Sequence, residues 1–333
     1  MLTLSSRPRL PGVTLTSSLL LAAIVGGALL GHFAPARGQW LGDNVDATLL
    51  TMIGLLFFSV RFEMLAQQAS NLRFLAIALV ANFVFVPLIG YGVAALFMAA
   101  HALLMVGLVI YFMAPCTDWF LGFTRLAGGN IALGMALVPL NMLIQLLLYP
   151  LYLQWFTQQT GSIEVLLIGT TLLYWFVLPA IAALTLHHIL RRVLGAQRFA
   201  QCLTWADRAT PWVIALLVMQ IFAGNIAVML AHHRVFALLL LSVFVFFVLT
   251  FLLSEIICRF CRLDYPEHAL LTMTIAARNA PLMLAVTMTA LPGQPLIYAA
   301  LVIGMLVEFP HLTLLRRVLL ALSARRYPSQ RQT

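Results

Sequence analysis

The 333-residue sequence contains no lysine: all nineteen of its basic residues are arginine. That absence excludes a Walker A nucleotide site, a Schiff-base lysine and any chemistry needing a side-chain primary amine, and with them ATP-driven pumping by this chain. Charge of either sign is scarce, at 9% of residues against about 25% in soluble domains. The four cysteines, Cys116, Cys202, Cys258 and Cys261, do not form a secreted disulfide framework. Cys258 and Cys261 have the spacing of half a zinc site, but no second ligand pair accompanies them. Neither HExxH nor GxSxG occurs. The expectation is a protein that is not an enzyme and holds no metal or other cofactor.

What is present is apolar. Hydrophobic residues make up 63% of the chain and mean hydropathy is +1.02, which excludes a water-soluble fold. Runs of about 20 apolar residues are long enough to cross a hydrocarbon core roughly 30 Å thick as helices, so the partner is a lipid bilayer. The sequence predicts an all-α polytopic protein with ten spans, near 13–33, 47–61, 73–98, 101–125, 130–156, 165–190, 211–231, 235–258, 267–290 and 296–315. The first run follows Arg7 and Arg9 and ends near His32-Phe33-Ala34-Pro35-Ala36. With nine apolar segments behind it, it is read as an uncleaved helix rather than a signal peptide.

The net charge of +9 would suggest nucleic acid in a soluble protein; here its distribution points to topology, with no nucleic-acid partner. The N-tail, the loops after spans two, four, six and eight, and the C-tail hold sixteen arginines, while the opposite loops hold only Arg37 and Arg234. By the positive-inside rule both termini are cytoplasmic, in a multi-pass protein of the plasma or inner membrane. The remaining arginine, Arg278, falls inside span nine, where a charge is costly and needs a reason.

Five spans precede residue 160 and five follow, so residues 1–160 and 161–333 are read as two five-helix repeats of inverted topology. Spans four and nine are interrupted alike. Ala114-Pro115 is followed by Gly128-Gly129-Asn130, and Ala280-Pro281 by Pro292-Gly293-Gln294. Proline removes a backbone donor and clashes with the preceding turn, so helix ends and unbonded carbonyls can be presented near the midplane. Paired interruptions of this kind point to a transport site.

The chemistry-bearing residues gather at the two breaks, Ala114-Pro115-Cys116-Thr117-Asp118-Trp119 and Ala277-Arg278-Asn279-Ala280-Pro281. Antiparallel spans crossing there bring Asp118 towards Arg278, either as a permanent ion pair or with Arg278 receiving an anionic or oxygen-rich substrate while Asp118 balances charge or takes a proton. The Cys116 thiol is an inert small hydrophobe or a soft ligand for a thiophilic element. Thr117 and Asn279 add polar groups, as do Asn141 and Gln145, four apart on one face of span five, where the bland role is hydrogen bonding between helices. Glu308, in Gly304-Met-Leu-Val-Glu308-Phe-Pro310, is a protonated structural carboxyl or a proton shuttle. Glu255 is expected to reach water at the end of span eight. Gly27 and Gly31 form a GxxxG packing face.

Together these residues resemble the bile acid/sodium symporter superfamily and, within it, the arsenite-efflux permeases, over nearly the whole chain. The specific parts are Ala114-Pro115-Cys116-Thr117 with Leu126-Ala127-Gly128-Gly129, Asn141-Met-Leu-Ile-Gln145-Leu-Leu-Leu-Tyr149, and Gly304 to Pro310, with Asn82 and Pro87 in span three. The resemblance implies a panel of helices that includes spans one and six, a core in which spans four and nine cross at the substrate site, and a functional role for Cys116. Two positions depart. Leu282 stands where the permeases have a glutamate, and Phe120, Leu121, Thr274 and Arg278 stand where the symporters place sodium ligands. The expected function is sodium-independent secondary transport by alternating access, with arsenite or a related small metalloid or oxyanion exported. Transport of an organic or inorganic anion is the alternative, and a membrane sensor or enzyme a remote one.

Overall fold

The computed structural model describes residues 11–59, 71–117, 119–157, 177–231 and 233–326. Among them the chain is helical: α1 (Pro11–Phe33), α2 (Pro35–Asp43), α3 (Val45–Phe58), α4 (Leu72–Met98), α5 (Ala102–Met113), α6 (Phe120–Ala127), α7 (Ile131–Thr157), α8 (Leu178–Ala231), α9 (His233–Cys261), α10 (Tyr265–Ala276), α11 (Ala280–Ala290) and α12 (Pro295–Arg326). Five of these helices are long and apolar enough to cross a membrane, and six if α2 and α3, bent by 44°, count as one span. Length is what holds the number down. A 12-residue helix such as α5 covers about 18 Å at 1.5 Å per residue, short of a bilayer core. Taken across their breaks, α5 with α6 and α10 with α11 approach that thickness. Asp118, the first part of the sixth expected span and the expected 160/161 boundary lie outside the described residues.

The helices pack in two groups. The helices α1, α2 and α3 lie against α8, while α4 to α7 and α9 to α12 surround the interruptions. Small residues set the first contact: a Cβ on Gly27 would strike the Met219 carbonyl, and one on Gly31 the Ala223 carbonyl, so α1 and α8 meet backbone to backbone. The GxxxG face therefore packs helices, as expected. The helix α2 was not expected, because its sequence is polar and rich in glycine. Pro35 starts it at a first-turn position, where the missing N–H costs nothing. Its Gly42 then faces Gly224 with no side chain between them.

A π-helical turn, Ala81–Phe85, interrupts α4 and turns Asn82 into the interior, where it is fully buried. Pro87, one turn on, has no N–H for the Phe83 carbonyl; that oxygen accepts instead from the Tyr152 hydroxyl at 2.9 Å.

One end of the second group gathers arginine. Arg73 donates to the Cys261 carbonyl at 2.6 Å and Arg316 to the Leu126 carbonyl at 3.3 Å, capping the C-terminal ends of α9 and α6. Asn71 bonds Glu267 at 3.1 Å, and the Tyr265 hydroxyl donates to the Ala127 carbonyl at 2.6 Å. These contacts set the start of α4, the end of α6, the end of α9 and the start of α10 at one end of this group. Glu255, expected to reach water there, does not: it is buried, with a carboxylate oxygen 2.8 Å from His268 Nε2 and the other 3.6 Å from Arg259. A partner inside the protein replaces the water it would otherwise need.

Candidate functional site

The two interruptions cross and bond to one another. Pro115 and Arg278 form an antiparallel bridge; the Cys116 amide donates to the Ala277 carbonyl at 3.0 Å, and the Asn279 amide to the Ala114 carbonyl at 2.9 Å. Two non-helical backbone segments, one at Pro115 and one at residues 277–279 just before Pro281 in the first turn of α11, thus satisfy each other inside the protein, where water is not at hand. Asn279 sits at the N-terminus of α11, accepts from the Leu282 amide at 3.4 Å and donates to the Thr117 hydroxyl at 3.0 Å, so its side chain caps one break and ties it to the other.

Four helix ends meet here. The C-termini of α5 and α10 leave carbonyls without helical partners, and the N-termini of α6 and α11 leave amides. The carbonyl side is taken by Arg278, which is fully buried. Its guanidinium donates to the carbonyls of Phe112 at 3.0 Å, Thr274 at 2.9 Å and Ile275, and reaches Asn82 Oδ1 at 3.5 Å. It lies 5.9 Å from the centre of the Phe246 ring, which itself stacks on Phe112 at 3.9 Å. An intramembrane arginine therefore has its reason in the orphan carbonyls of two half-helices.

Donors just before the two N-termini converge on Glu308. Its Oε1 accepts from Trp119 Nε1 at 2.6 Å and from the Arg278 amide at 3.0 Å. The Tyr111 hydroxyl lies 3.2 Å from Oε2 and 2.9 Å from the Gly304 carbonyl. Gly304 permits that approach, since a Cβ there would collide with the tyrosine ring.

Along α7, Asn141 donates to the Thr274 hydroxyl at 3.4 Å, an oxygen that also accepts from Asn82 at 3.1 Å. Eight residues on, the Tyr149 hydroxyl meets that of Thr287 at 3.0 Å. Gln145 lies midway in sequence between these two contacts, one turn from Asn141 on the same face of α7. It is 3% exposed, and among the described residues neither its amide nitrogen nor its amide oxygen has a partner; Asn141 Oδ1 also has none there. Unsatisfied amides in such a place are costly, and a visiting solute with donors and acceptors would relieve them.

The structure thus brings Cys116, Thr117, Arg278, Asn279 and Glu308 together at the crossing and ties Asn141 to it through Thr274, while Gln145 is buried one turn further along α7. Cys116 is a thiol, 1% exposed. Leu282 is buried and its amide is capped by Asn279. Asp118 lies outside the described residues. Sequence reasoning passed over Tyr111, Trp119 and Phe112 as members of the site. For the first two a signal existed: a phenol or indole in a broken membrane helix must find an acceptor. For Phe112 there was none, because its carbonyl, not its side chain, takes part.

At the end away from the arginines a cavity of about 490 Å³ opens between the two helix groups, lined by Asp43, Asp46, Asn225, Met288 and Tyr298 among others. It touches α2, α3 and α8 on one wall and α11 and α12 on the other.

This chain is similar to the Arsenical-resistance protein Acr3 of Corynebacterium glutamicum, with 23% identity over a 332-position alignment that spans 93% of this chain and 89% of that protein. The model of the Sodium Bile acid symporter family matches residues 47–234. With more than half of its residues matched and several helices fit to cross a bilayer, the chain is a multi-pass membrane transporter that belongs to the Sodium Bile acid symporter family.

Proposed function

We propose that the protein is a ten-helix secondary transporter of two inverted five-helix repeats, 1–160 and 161–333, that exports arsenite or a related small metalloid by alternating access without sodium. It works in the plasma or inner membrane with both termini in the cytoplasm, on the side where the arginines gather. One observation carries the substrate reading: a buried thiol, Cys116, stands in the crossing beside Thr117, whose hydroxyl accepts from Asn279. A soft sulfur ligand next to hydrogen-bonding groups suits a thiophilic element bearing hydroxyls. The similarity to a protein named for arsenical resistance supports it.

In this reading Cys116, Thr117, Asn279, Asn141 and Gln145 contact the substrate. Arg278 holds the break open by bonding its carbonyls, and Asp118 balances charge. Glu308 is the proton carrier. The Tyr111 hydroxyl has one proton for two acceptors, Gly304 and Glu308. A proton on Glu308 Oε2 pairs that oxygen with Tyr111 and leaves tyrosine's own proton for Gly304.

Uptake by everted vesicles of arsenite, of a panel of carboxylates and of a panel of sulfur oxyanions, each supplied in the bath, tests the substrate. Saturable arsenite flux that Cys116→Ser abolishes is the expected result. Saturable flux of an organic or sulfur anion with no arsenite flux favours an anion transporter and overturns the metalloid reading.

A further inference from the structure

We infer that the Arg278 guanidinium is a tethered cation occupying a monovalent-cation site built from the carbonyl oxygens of Phe112, Thr274 and Ile275 and from Asn82 Oδ1. The donor set is the first ground. All four groups that receive the guanidinium are neutral oxygens, three of them backbone carbonyls, and neutral carbonyl oxygens are what replace the hydration shell of a small monovalent cation in a protein.

The second ground is where these oxygens come from. Phe112 is one residue from the end of α5, and Thr274 and Ile275 lie in the last turn of α10. The two half-helices end inside the protein with their negative poles turned to one point, each worth about half an elementary charge. A single positive charge balances them. The third ground is burial: Arg278, Thr274 and Asn82 are fully buried, so the field is little screened and the site demands its cation at all times. The Phe246 face, 5.9 Å from the guanidinium carbon, closes the site on the remaining side.

The groups facing the site from each packed element are Asn82 of α4, Tyr111 of α5, Phe246 of α9, Thr274 of α10 and Glu308 of α12. Glu308 meets the backbone amide of Arg278, and its side-chain partners Trp119 and Tyr111 occupy its other positions. The guanidinium is thus committed to the carbonyls rather than to a carboxylate.

Shortening this side chain should leave a vacancy with the oxygens in place. Arg278→Ala is purified in detergent, and its thermal unfolding is followed in choline chloride, sodium chloride and millimolar guanidinium chloride at equal ionic strength. The expected result is a midpoint well below that of the unaltered protein in choline, with at least half of the loss restored by guanidinium or sodium. The unaltered protein should unfold at the same temperature in all three salts. Arg278→Met fills the space with an uncharged stem, and its midpoint should respond to none of them. An Arg278→Ala protein with one midpoint in all three salts, or not recoverable as folded protein in any of them, overturns the proposal. So does equal rescue of Arg278→Met, which would mark a bulk salt effect. The readout is stability and not flux, so it stands or falls apart from the substrate reading.

Discussion

A buried amide with both atoms unpaired weakens a protein, and Gln145 is such a group among the described residues. Leucine has nearly its volume and nothing to satisfy. Gln145→Leu should therefore raise the unfolding free energy by about 1 kcal/mol, the low end of the cost of an unmade buried hydrogen bond, while transport falls sharply. Thermal unfolding and vesicle flux measured on the same preparation check this. A less stable protein with full flux would mean that the amide has a structural partner and no substrate. Glu308 gives a second test at this scale. Glutamine keeps an oxygen for Trp119 and the Arg278 amide but carries no exchangeable charge. Glu308→Gln should insert and fold normally, yet its flux should no longer respond to a proton ionophore, whereas the unaltered protein slows. An ionophore response that survives the substitution removes Glu308 from the coupling path.

Within single helices, the bends have identifiable causes that can be separated by mutation. The Phe83 carbonyl bonds Tyr152 because Pro87 cannot donate to it. Tyr152→Phe should cost about 1 kcal/mol alone and distinctly less on a Pro87→Ala background, where the helix supplies its own donor. Equal costs in both backgrounds would show that the tyrosine serves something other than the kink. This contact also marks how far the chain could be read. The interruptions at Pro115 and Pro281, and the gathering of Cys116, Thr117, Arg278 and Asn279, were legible because proline and stray charge announce themselves in apolar sequence. The carbonyls of Phe112, Thr274 and Ile275 were not, since every residue carries one and only the three-dimensional end of a helix makes it available. Glu255 misled for a related reason: its position near a helix end spoke for water, and His268 lies thirteen residues away on the next helix. The glycine-rich stretch that folds as α2 looked like a loop because its stability comes from contact with α8 and not from its own propensity.

Across the whole molecule, the arginine end and the acidic cavity lie at opposite ends of the helix groups. If the arginine end is cytoplasmic, Asp46→Cys in the cavity wall should be labelled by a membrane-impermeant maleimide in intact cells. Arg316→Cys should be labelled only in everted vesicles, with Cys202→Ser and Cys261→Ser in both proteins. The reverse pattern would invert the topology.

The account rests most heavily on a crossing that takes a small thiophilic solute and has its own cation built in. Arsenite accumulation by everted vesicles, with sodium replaced throughout by choline, tests both statements at once. The account predicts saturable accumulation that is unchanged by the replacement and absent in Cys116→Ser vesicles containing equal amounts of protein. Accumulation that requires sodium, or that is undiminished in the serine variant, would contradict it.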